Sequence, residues 1–102
     1  MKLEYLSQNR LEQLIKNMLA KHLSLGDYKV FFFGSRVRGN NWIRSDIDLG
    51  IEGKRPLPLK IKSAIEEEIE NLPVLYKMDL VDFKSVSPSF IKNAKQWVEY
   101  VQ

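Results

Sequence analysis

At 102 residues the chain has room for one domain, residues 1–102, with one modest core. A hydrophobic content of 44% and a charged content of 28% are those of an ordinary globular protein; no apolar run reaches the ~20 residues of a bilayer span, and the N-terminus lacks the apolar stretch of a secretory signal. Zero cysteines exclude disulfides and thiolate metal sites and suit a reducing cytoplasm, while a net charge of +3 favours a polyanionic ligand but is too small to argue for duplex nucleic acid.

Leu11, Leu14, Ile15, Met18, Leu19 and Leu23 recur at three- and four-residue spacing, which predicts a helix ended near Gly26. Val30-Phe31-Phe32-Phe33 is a continuous β-branched and aromatic run, expected of a strand buried on both faces. Residues 34–45, rich in Gly, Asn, Ser and Arg, read as a loop with room for one helical turn. Strict alternation through Asp46-Ile47-Asp48-Leu49-Gly50-Ile51 predicts a second strand. Ile61, Ile65, Ile69 and Leu72 mark a helix closed by Pro73, and residues 74–83 read as a third strand. Ser87 or Ser89 could cap a last helix whose apolar face is Phe90, Ile91, Ala94, Trp97, Val98 and Val101. The expected fold is α+β: a small mixed sheet with helices mainly on one face, in the order α-β-β-α-β-α.

Three features at strand ends or within strands bear chemistry. Gly34-Ser35 follows the buried strand, where a glycine lets the backbone turn sharply and brings main-chain N–H groups close to a phosphate. Asp46 and Asp48, two apart in a strand, project from one face. Adjacent carboxylates repel unless a cation lies between them, and magnesium takes a few carboxylates plus phosphate oxygens; the plainer alternative is a solvated strand face. Asp79 stands within the apolar strand Lys77-Met78-Asp79-Leu80-Val81-Asp82-Phe83, where an acid needs a reason. Asp82 points to the opposite face, free to reach solvent near the strand end, so Asp79 is the expected third carboxylate. Arg36 and Arg38 in the loop are candidate phosphate partners or simply exposed cations.

Together, Gly34-Ser35, ten residues, Asp46-x-Asp48 and a later strand aspartate resemble the DNA polymerase β-like nucleotidyltransferase superfamily, and GSRVRGNNWIRSDIDLGIEG resembles its minimal nucleotidyltransferases, with Val37 at a usual alanine. The resemblance implies that Gly34 and Ser35 hold the β- and γ-phosphates of ATP or another nucleoside triphosphate, with Arg36 and Arg38 beside them. It implies that Asp46, Asp48 and Asp79 bind Mg2+, with two ions possible, and that Asp79 also helps deprotonate an acceptor hydroxyl attacking the α-phosphate. Larger relatives carry further domains for the acceptor; this chain resembles the minimal type paired with a HEPN-type helical protein in a hetero-oligomer, in some pairs as an antitoxin that adenylylates it. A binding module that inhibits by contact alone is the alternative. Trp42, in the loop, could lie against a base, a partner or the core; Ser45 is expected to order the entrance of the second strand, His22 to be a favourable cation or packed ring, and Trp97 to be the partner contact if exposed.

Overall fold

The computed structural model describes residues 1–39 and 46–101. Ser7 begins α1 (Gln8–Leu19), its hydroxyl accepting from Arg10 N at 3.1 Å, and Leu11, Ile15, Met18 and Leu19 form the buried stripe. The helix ends earlier than its apolar spacing predicts: Ala20 N bonds to Lys16 O, and Gly26 lies instead in a 3-10 turn, Leu25–Asp27. β1 (Lys29–Phe33) follows, then a single helical turn, α2 (Ser35–Arg38), β2 (Ile47–Glu52), α3 (Leu59–Glu70), β3 (Met78–Asp82), α4 (Pro88–Ala94) and β4 (Glu99–Tyr100). Among the described residues no helix is long and apolar enough to cross a membrane.

The described strands form one mixed sheet in the order β3-β2-β1-β4. β1 runs antiparallel to β2, setting Phe33 opposite Asp48; β2 runs parallel to β3, setting Asp48 beside Asp79. The aromatic run of β1 is buried on both faces, as its composition predicts. Val30 and Phe32 join Ile47, Leu49, Ile51, Met78 and Leu80 in the main core, which Leu11, Ile15, Ile65 and Ile69 of α1 and α3 close. Phe31 and Phe33 turn the other way, onto Phe83 and the short α4, with Phe31 and Phe83 edge-to-face at 4.7 Å. Helices thus sit mainly on one face, and among the described residues the carboxylate-bearing face carries α4.

Two further boundaries differ from the sequence expectation. The third strand begins at Met78 rather than 74. The last helix, capped by Ser87 accepting from Phe90 N, stops at Ala94, and the chain returns as β4 along β1, with Val101 N donating to Val30 O at 2.7 Å.

Candidate active site

Where β1 ends, Gly34 takes φ 85° and ψ −162°, a backbone state costly for any residue with a side chain. Its carbonyl accepts from Val37 N (3.2 Å) and Arg38 N (3.1 Å), closing α2, and Gly39 at φ 87° ends the turn by donating its N–H to Ser35 O at 3.0 Å. The first N–H groups of such a turn have no acceptor inside it. Space matters as much as torsion here: a β-carbon on Gly34 would stand 2.1 Å from Asp48 Oδ2. The bare glycine is what lets the turn after β1 and the acidic strand touch.

The pleat and the parallel register bring the acids together. Asp48 and Asp79 are cross-strand neighbours, and Asp46 immediately precedes β2. Their electrostatics record the crowding. Burial, then the charge of Asp79, then that of Asp46, push the Asp48 carboxyl up to about 6. Asp79 is raised as well, by partial burial, by a hydrogen bond with Asp46 and by its charge, against the opposing pull of Lys77. Among the described residues no three His, Cys, Asp or Glu side chains stand close enough to enclose a metal ion. The triad therefore supplies donors rather than a finished cage; in chemistry those donors, all carboxylate oxygens, fit magnesium.

The two loop arginines part company. Arg38 is exposed and, with Phe33, Gly34, Phe90, Asn93 and Ala94, lines a cleft of about 240 Å³ between the loop and α4. Of the two readings expected for Arg36, a phosphate partner or an exposed cation, its burial overturns the second. Arg36 is 2% exposed; its guanidinium lies 5.0 Å from the Tyr76 ring centroid, donates to Lys2 O at 3.3 Å and pairs with Glu4 at 3.6 Å. Those contacts tie the loop to the N-terminal segment and to the approach to β3, where Tyr76 Oη also accepts from Glu4 N and Tyr5 N. Asp82, expected to escape to solvent, is buried instead: it accepts from Leu57 N at 2.7 Å, Lys84 N at 2.9 Å and Ser85 Oγ at 3.2 Å. It braces the link before α3 and the turn after β3, on the opposite side of the strand from Asp79.

His22, in the turn after α1, bonds to Glu68 of α3, away from the acids. Trp97 is 53% exposed but lies just beyond α4 rather than on it. Trp42 and Ser45 lie outside the described residues. Phe90 and Asn93, which share the cleft with Gly34 and Arg38, carry no sequence signal for that place; Phe90 was readable only as part of an apolar helix face.

A family model for polymerase beta nucleotidyltransferases matches residues 13–99. A "Probable protein adenylyltransferase MntA" of Haemophilus influenzae is 34% identical over 64 residues, 63% of this chain, and the match spans 56% of that relative's length. A crystal structure of a toxin–antitoxin with AMP-PNP superposes with a TM-score of 0.72 at 20% identity, over 89% of this chain and 72% of that one. Another similar structure, a tri-AMPylated Shewanella oneidensis HEPN toxin in complex with an MNT antitoxin, gives a TM-score of 0.59 at 20% identity, over 89% of this chain and 71% of that one. At such identities the structures speak for the fold. The chain belongs to the polymerase β nucleotidyltransferase family.

Proposed function

We propose, from that membership, that the chain binds a magnesium–nucleoside triphosphate complex, with ATP the favoured nucleotide, and transfers its nucleotidyl group to a hydroxyl on a HEPN-type helical partner, acting as an antitoxin in the cytoplasm. The observation that carries the reading is the register of Asp48 with Asp79, with Asp46 alongside and Gly34 pressed against Asp48. The main-chain N–H groups after Gly34 and the Ser35 hydroxyl hold the β- and γ-phosphates, and Arg38 at the mouth of the cleft pairs with phosphate oxygens. Arg36 holds the loop in shape from below. Asp46, Asp48 and Asp79 are the residues that would hold Mg2+, which supplies charge neutralisation at the phosphates when bound. Asp79 receives the proton of the attacking hydroxyl. The new bond joins that oxygen to the α-phosphorus, the α–β bridging bond breaks, and pyrophosphate leaves.

The relatives described as an adenylyltransferase and as complexes with AMP-PNP and with a tri-AMPylated HEPN toxin support this reading. The test is incubation with labelled ATP, Mg2+ and a co-expressed HEPN-type protein, followed by intact-mass analysis. One or more adenylyl groups on the partner are expected, and none with Asp46→Asn plus Asp48→Asn. A double variant that still neutralises its partner undiminished overturns transfer in favour of inhibition by contact.

A further inference from the structure

β3 closes one end of the sheet, and among the described residues no strand pairs with its outer edge. Its register decides which groups lie there. Ile47 N donates to Lys77 O and Phe83 N donates to Ile51 O, both at 2.9 Å, so the odd-numbered residues of β3 direct their backbone groups at β2. The N–H and C=O of Met78 and Leu80 consequently point outward. They face a cleft of about 370 Å³ between β3 and the last turns of α3, bounded by Glu66, Ile69 and Glu70 on one side and Met78–Leu80 on the other. Asp79 is part of that wall, so the groove runs from the helix flank to the carboxylate face.

We propose that the acceptor polypeptide binds as an extended segment added to the outer edge of β3, which sets a hydroxyl-bearing side chain on that segment beside Asp79. The inference rests on the proposed nucleotidyl transfer and names how the acceptor is held. Three observations support it. The outward N–H and C=O groups of Met78 and Leu80 are the complement of a peptide backbone and of little else. A strand laid there sits ~4.8 Å from β3, and its residue opposite Asp79 projects onto the same face, with β-carbons about 5 Å apart, within reach of a tyrosine, serine or threonine oxygen. Its neighbours on either side then project towards α3, where Ile69 offers an apolar wall and the exposed Glu66 and Glu70 favour lysine or arginine. The same two glutamates, with Asp79, outnumber Lys77, the one cation among the lining residues, and so disfavour a phosphate backbone over a peptide in this groove.

The probe is a short synthetic peptide with tyrosine at its centre, lysine on either side and valine at both ends, used with the full chain and Mg–ATP. Three quantities are measured separately: Mg–ATP affinity by calorimetry, peptide adenylylation by mass, and amide hydrogen exchange at Met78 and Leu80. The peptide is expected to slow exchange at those two amides by about ten-fold or more. With the peptide antiparallel to β3, its two lysines pair with Met78 and Leu80, so N-methylation of the lysine amides removes the edge hydrogen bonds and should abolish both protection and modification. Glu66→Lys with Glu70→Lys should raise the peptide KM by about ten-fold, two charge pairs' worth, and leave Mg–ATP affinity unchanged. A methylated peptide modified as well as its parent, or no protection at Met78 and Leu80 at millimolar peptide, overturns the inference. Failure of the wild-type chain to bind Mg–ATP overturns the transfer reading itself, a result distinct from either.

Discussion

Replacing Asp48 by asparagine should make the protein more stable while removing its proposed chemistry. With its carboxyl pushed up to about 6 from an ordinary 3.8, keeping Asp48 ionised costs about 3 kcal/mol if nothing screens it. The side chain is only half-buried, and water access reduces that figure to on the order of 1–2 kcal/mol. Asparagine keeps the shape and drops the charge. For a domain of this size the melting temperature should therefore rise by on the order of 5–10 °C at pH 8 without divalent ions. The direction of the pH dependence follows from the raised pKa: the folded state holds its proton to higher pH than the unfolded chain, so wild-type stability falls as pH rises from about 4 through 6. The gap between variant and wild type should be full above pH 6 and closed below about pH 4. Magnesium should narrow it at pH 8 by stabilising only the wild type. Thermal unfolding followed by circular dichroism across that range reads all of this. An asparagine variant no more stable than wild type at pH 8, or equally advantaged at every pH, refutes the account of three acids straining against one another.

Three further variants separate structural from functional side chains. Asp82→Ala leaves the buried Leu57 N–H without its acceptor and should cost about 2–3 kcal/mol in equilibrium denaturation, with Mg–ATP affinity of the folded protein unaltered. Arg36→Ala removes the pairing with Glu4 and the contact with Tyr76 and should lower stability by about 1–2 kcal/mol, whereas Arg38→Ala should leave the melting temperature in place and weaken Mg–ATP binding about ten-fold or more by calorimetry.

The division between what the amino-acid pattern discloses and what it hides follows the range of the interactions. The strand at Val30–Phe33 is legible because two faces of burial leave a continuous apolar run, and Asp48 and Asp79 because a two-residue period fixes the face to which each belongs. β4 is hidden because Trp97, Val98 and Val101 keep helical phase with Phe90, Ile91 and Ala94; the local pattern favours a helix until β1 offers an edge far away in the chain. Arg36 and Asp82 are misjudged for the same reason. The partners that bury them, Glu4 and Tyr76 for one and Leu57 for the other, lie 25 or more residues away. Local sequence announces a loop arginine or a strand-end aspartate; only the closed sheet shows what each is holding.

The contact between Gly34 and Asp48 makes one mechanical part of two stretches of sequence. Because the acid's oxygen fills the volume that any larger residue at 34 would claim, the proposed phosphate seat cannot be reshaped at position 34 alone. A wider or differently shaped anion seat would have to be reached from β2, by moving the acid first.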